Sequence, residues 1–164
     1  VAAPTAGLHF DKKMIDHLEN NNVIVKYINL DIGLGTFKPI DTEYLENFKI
    51  HEENYSVSKK EFSDLLKLKN KGYKIISVGT TVLRTLETVA DTNVYKGQTS
   101  LFIKPGYKFK VVDLLITNFH APRSTLLSIV LTIYGKKWKE LYKYAQRSKL
   151  KFLSFGDAVL FEIK

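Results

Sequence analysis

Between Asp11 and Asn22 the apolar positions Met14, Ile15 and Leu18 recur at helical spacing, and Asn20-Asn21-Asn22 ends the stripe. Over residues 23–30 nearly every position is apolar or β-branched, which predicts a strand covered on both faces. It empties into the glycine loop Gly33-Leu34-Gly35-Thr36-Phe37. Ser58 and Glu61 form a capping-box pattern ahead of Phe62, Leu65 and Leu66, and Gly72 stands where that helix would end. Residues 73–78 then read as a buried strand running through Gly79-Thr80-Thr81 into a helix with apolar positions Val82, Leu83, Leu86 and Val89.

Further along, residues 100–103 and 111–117 read as strands separated by a turn at Pro105-Gly106. Ser124 can cap a helix over Thr125–Tyr134 that is apolar almost all round and so belongs in the interior, with Gly135 ending it. The next helix sets Trp138, Leu141, Tyr142 and Ala145 against an opposite face of Lys136, Lys139, Lys143 and Arg147. Residues 158–163 form a last strand. With no repeat and no linker, the pattern predicts one α/β domain, a mixed sheet flanked by helices.

Composition narrows the chemistry. The 164 residues are 45% hydrophobic, enough for one substantial core, and no apolar run is long enough to span a bilayer. No signal peptide pattern is present, so a cytoplasmic protein with no membrane partner is expected. The absence of cysteine removes disulfides, zinc thiolates and thiol nucleophiles, leaving His, carboxylates, hydroxyls and amides. The net charge of +8 is uneven: residues 1–82 hold 11 basic and 11 acidic side chains, residues 83–164 hold 14 and 6. A basic second half suits a polyanionic partner, and it equally suits simple solubility.

Candidate chemistry gathers where predicted elements end, the usual place for ligands in an open α/β sheet. Thr5, Gly7 and His9 lie in a helix-entry loop that offers a hydroxyl, a flexible backbone and an imidazole. Gly33 and Gly35, with Thr36 and Phe37, allow close backbone approach, although an ordinary tight turn explains them as well. Gly79, Thr80 and Thr81, with Arg84 one turn later, place hydroxyls and free N–H groups at a helix N-terminus, where an anion is favoured. Asn118 and His120 share a side if their segment is extended, and Ser124 follows as a helix cap or a ligand contact. His51 and Glu52 supply a base-capable pair beside Glu53. Three adjacent side chains diverge and no chelating spacing supports them, so no metal is expected.

Six segments, AAPTAGLHF, GLGTF, HEENYSV, VGTTVLRTLE, SLFIKPGYKFKVVDLLITNFHAPRSTLL and FLSFGDAVL, together span nearly the whole chain. In this order they resemble the S-adenosylmethionine:tRNA ribosyltransferase-isomerase family of queuosine biosynthesis. The resemblance implies an α/β catalytic domain carrying an inserted β-barrel domain, of which residues 1–164 would be the C-terminal portion, lacking the N-terminal elements and the barrel. The start at Val1 inside a Pro/Gly segment fits a piece of something longer.

The resemblance also implies the reaction. S-adenosylmethionine would act as ribosyl donor and co-substrate, and a tRNA bearing 7-aminomethyl-7-deazaguanine at the wobble position would be the acceptor. Epoxyqueuosine-tRNA, adenine and methionine would be the products, made by a protein that is monomeric at full length. On the matching motif positions, Glu52 or His51 would be the general base and His9 or His120 the proton donor to departing adenine. Asp157 would contact a cation or ribose, Thr80, Thr81 and Arg84 would bind the methionine carboxylate, and Gly33, Gly35 and Phe37 would shape a ring pocket. Lys136, Lys139, Lys143 and Arg147 would meet tRNA phosphates. A non-catalytic tRNA-binding piece and an S-adenosylmethionine-dependent methyltransferase are the competing expectations; the second lacks an acidic residue after the strand ending at Val78.

Overall fold

The computed structural model describes residues 5–31, 48, 50 and 52–163. A 3-10 turn, Thr5–His9, leads into helix α1, Lys12–Asn20, which Asp11 caps through the Met14 N–H. Strand β1 is Asn29–Asp31 and β2 is Glu53–Ser56; helix α2, Lys59–Asn70, starts at Ser58, whose hydroxyl accepts the Glu61 N–H. Then come β3, Ile76–Val78, helix α3, Thr80–Thr92, β4, Lys96–Thr99, and β5, Leu114–Asn118. Helix α4, Thr125–Tyr134, a short 3-10 segment, α5, Trp138–Arg147, and β6, Ala158–Glu162, complete the described chain.

The strands make two three-stranded sheets, ordered β1-β2-β4 and β3-β5-β6. The second is the expected mixed sheet, with β3 parallel to β5 and β6 antiparallel to it. The first is wholly antiparallel and is additional to what the hydrophobic pattern indicates. One cluster joins them: Leu83, Leu86 and Val89 of α3 pack with Leu115, Phe119, Ile129, Val130 and Phe161, while Tyr55 and Val57 bring in the antiparallel sheet.

Three expectations change. Residues 23–28 are irregular, and Val23, Ile24 and Tyr27 are exposed, because the ladder of β1 with β2 covers only Asn29, Leu30 and Asp31. Residues 100–103 are not a strand: β4 pairs with β2 through Lys96–Thr99, and the later carbonyls serve side chains instead. Arg84 Nε donates to the Leu101 carbonyl at 2.9 Å and Ser128 Oγ to that of Ile103 at 3.0 Å. Strand β3 begins at Ile76, since the Asp113 carboxylate takes the Ile75 N–H at 2.8 Å and the Ile75 carbonyl accepts from the N–H groups of Asp113 and Leu114. Gly33, Gly35, Thr36, Phe37 and His51 lie outside the described residues.

Candidate active site

Parallel pairing of β3 with β5 puts their carboxyl ends at one edge of the sheet. Val78 is opposite Ile116, so Gly79, Thr80 and Thr81 leave the sheet beside Thr117 and Asn118. Gly79 makes the exit possible with φ of 97°, a conformation that costs a residue with a Cβ, and its N–H donates to the Ile116 carbonyl at 2.8 Å. Thr80 and Thr81 open α3; both are buried, and their hydroxyls have no hydrogen-bond partner among the described residues. Two hydroxyls without a partner and the positive end of the helix dipole are the features there that suit an anion.

Two distant segments converge on Asn118. Its Oδ1 accepts from the Thr5 hydroxyl at 3.1 Å, and its Nδ2 donates to the Gly156 carbonyl at 3.0 Å. His9 Nε2 lies 3.1 Å from the same carbonyl. A carbonyl only accepts, so this contact calls for a proton on Nε2; the Asn118 Nδ2 group, 3.4 Å from the same nitrogen, would instead donate to an unprotonated Nε2, and the shorter contact to Gly156 favours the first arrangement. Asp157 is fixed beside them: its Oδ2 accepts the Lys151 N–H at 2.7 Å and its own N–H donates to the Lys151 carbonyl. Thr5, His9, Asn118, Gly156 and Asp157, spread over more than 150 positions of sequence, thus make one polar rim at the end of β5. Gly7 belongs to the same 3-10 turn and approaches nothing closely, so backbone room is not what it supplies.

The other candidates are placed differently. His120 does not share a side with Asn118, because the strand ends at Asn118 and the chain turns. The His120 ring returns to Thr117, with Nε2 2.8 Å from Oγ1, while its N–H is held by the Tyr142 hydroxyl. Burial pushes its pKa down to about 4, leaving a neutral imidazole at neutral pH. Arg84 is 1% exposed and forms an ion pair with Glu53 at 2.7 Å, adding bonds to the Leu101 and Thr99 carbonyls; its charge is engaged inside the fold. Burial pulls the Arg84 pKa down and the Glu53 charge opposes that. Glu52 is exposed immediately before β2, next in sequence to the Glu53 that pairs with Arg84.

Ser124 is a helix cap, accepting from Leu127 N–H at 3.1 Å and donating to the Ala121 carbonyl at 2.8 Å, which spends its one donor. Lys136, Lys139, Lys143 and Arg147 are exposed, whereas Tyr142 and Ala145 of α5 face the core. Sequence reasoning missed the Gly156 carbonyl, the acceptor shared by His9 and Asn118. The glycine was legible as part of FGD, but a main-chain acceptor leaves no mark in residue type. Among the described residues no three His, Asp or Glu side chains gather as a metal site, and no helix is long and apolar enough to cross a membrane.

A family model described as queuosine biosynthesis protein matches residues 1–161. The chain belongs to that family. Within it, the chain is 48% identical over 164 residues to the S-adenosylmethionine:tRNA ribosyltransferase-isomerase of Caldanaerobacter subterraneus subsp. tengcongensis, covering 97% of this chain and 48% of that protein. It is 47% identical over 163 residues to the like-named protein of Acetivibrio thermocellus, covering 96% and 48%. The crystal structure of S-adenosylmethionine tRNA ribosyltransferase from Thermotoga maritima superposes with a TM-score of 0.77 at 39% identity, over 94% of this chain and 50% of that one. The chain therefore spans about half the length of the curated relatives it matches.

Proposed function

We propose that the full-length protein is a cytoplasmic S-adenosylmethionine:tRNA ribosyltransferase-isomerase and that this chain is the C-terminal portion of its α/β catalytic domain. It would transfer and isomerise the ribosyl group of S-adenosylmethionine onto 7-aminomethyl-7-deazaguanine at the tRNA wobble position, as a monomer, giving epoxyqueuosine-tRNA, adenine and methionine. The observation that carries this reading is 48% identity over 97% of the chain to a protein of that name.

The chemistry sets the roles. The sulfonium acidifies the adjacent 5′ carbon, so a base must take a proton there, and adenine leaves more readily if it is protonated as it departs. His9 is the proposed donor: it is exposed, and when charged it can keep the Gly156 carbonyl on Nε2 while offering Nδ1–H. His120 suits that role poorly, because burial lowers its pKa to about 4, so it is not an imidazolium at neutral pH, and its Nε2 is committed to the Thr117 hydroxyl. Glu52 and His51 stand for the base. The α3 start, with Thr80 and Thr81, takes the methionine carboxylate without Arg84, whose charge Glu53 already balances. Asp157 takes a ribose hydroxyl, and the exposed lysines of α5 take tRNA phosphates.

Incubation of the full-length protein with S-adenosylmethionine and tRNA carrying the aminomethyl base is expected to release adenine and to yield a heavier anticodon nucleoside in the digest. No adenine and an unchanged nucleoside overturn the reading. S-adenosylhomocysteine as product would assign a methyltransferase instead.

A further inference from the structure

The loop after α5 contains two phenylalanines with opposite fates. Phe152 is packed between Phe119 and Tyr142, with ring centroids 5.0 and 5.6 Å away. Phe155, three positions on, is 89% exposed, more than any other large apolar side chain described, and makes no ring contact among the described residues. An exposed aromatic on a slack loop would carry little meaning. This loop is closely tied: Leu153 N–H donates to the Phe119 carbonyl at 2.8 Å, Gly156 N–H to that of Leu153 at 3.0 Å, and Asp157 N–H to that of Lys151 at 2.9 Å. The Asp157 carboxylate closes it through the Lys151 N–H at 2.7 Å.

The backbone is committed to this shape. Leu153 has φ of 68°, in the left-handed region that a residue with a Cβ rarely adopts. A Cβ on Gly156 would stand 2.4 Å from the Lys151 carbonyl oxygen, so only glycine fits there. The residue following Phe155 is the one whose carbonyl meets His9 Nε2 and Asn118 Nδ2. A fold that buries one ring and holds another out in water, next in sequence to the polar rim, has a flat apolar surface available to a ligand with a matching face.

We propose that the Phe155 ring is a stacking platform for a fused-ring nucleobase presented beside His9 and Asn118. The inference rests on the reaction proposed above, which brings two such rings to the site: the adenine of S-adenosylmethionine and the deazaguanine of the tRNA. Stacking on an aromatic face tolerates either ring, while the neighbouring imidazole and amide supply direction.

The test uses the full-length protein with four variants. Phe155→Ala and Phe155→Leu are expected to raise KM about 10- to 100-fold, the range of a lost base–aromatic stack, while Phe155→Trp and Phe155→Tyr stay near wild type. The rise falls on S-adenosylmethionine if adenine is stacked and on tRNA if the deazaguanine is. Melting temperatures should be unchanged throughout, since the ring is exposed. A wild-type KM for both substrates in Phe155→Leu overturns the proposal, as does a loss in Phe155→Ala that comes with a lowered melting temperature and is restored by Leu, which would mark the ring as packing against protein. A second readout is independent of turnover: in a Trp138→Phe background, the indole emission gained with Phe155→Trp should be quenched by S-adenosylmethionine or by the tRNA. Quenching in a protein that releases no adenine would leave the platform standing and remove the reaction; no quenching by either, with KM unmoved, removes the platform.

Discussion

Glu87 in α3 and Asp157 beyond the end of β5 are both carboxylates that hold backbone N–H groups, and they leave very different capacity behind. Glu87 is fully buried and accepts from the N–H groups of Lys110, Val111 and Val112 at 2.7 to 3.0 Å, and from the Tyr107 hydroxyl at 3.2 Å. Burial and the Glu87 charge together drive the Tyr107 pKa upward, so that hydroxyl remains a donor. Arg84, one turn earlier, likewise gives each of its three nitrogens to a partner inside the fold. Asp157 is half-buried and spends one oxygen on Lys151. The interior of α3 uses charge to pin loops in place; the rim at β5 uses a few bonds to orient side chains that keep spare donors and acceptors for something else. Density of polar residues is thus a poor guide to a site, and unspent hydrogen-bonding capacity is a better one.

The sharpest way to break this contrast is at Glu87. Replacement by Ala strands two buried N–H groups and a part-buried one and is expected to cost about 3–4 kcal/mol in urea unfolding, with Glu87→Gln losing less because one acceptor oxygen remains. A loss below about 1 kcal/mol would mean that the 107–112 loop does not depend on it.

His120 extends the same logic to pH. Its folded pKa is about 4, against 6.5 for the free side chain, so between those values the unfolded chain binds a proton that the folded chain does not. Its contribution is fully present above pH 6.5 and is lost as pH falls toward 4, by an amount on the order of 3 kcal/mol. Urea midpoints of wild type and His120→Gln at about pH 7 and about pH 4.5 should converge at the lower pH; parallel curves would show that His120 is not buried neutral.

At the rim the balance reverses. In the full-length protein, His9→Ala is expected to cut turnover about 100-fold while unfolding changes by less than about 0.5 kcal/mol. Equal damage to both would make His9 part of the structure. The smallest effect belongs to the exposed face of α5: reversing Lys139, Lys143 and Arg147 to Glu should lower tRNA affinity and flatten its dependence on salt by about one unit of slope per lost phosphate contact. Unchanged binding removes α5 from the tRNA surface.

What the sequence determined by itself is local or family-wide. Helices α2 and α4 follow from caps and spacing that act within a few residues, as Ser58 and Ser124 show by accepting the N–H groups of Glu61 and Leu127, and α3 and α5 follow from spacing alone. Membership in the queuosine biosynthesis family follows from ordered motifs over residues 1–161. The fate of each polar residue was decided only in three dimensions. Arg84 and His9 stand in equally suggestive motifs, yet one is neutralised by a carboxylate 31 positions away and the other meets a carbonyl 147 positions away. Strand pairing and loop closure choose such partners, and they depend on contacts between distant segments that residue type and spacing do not encode.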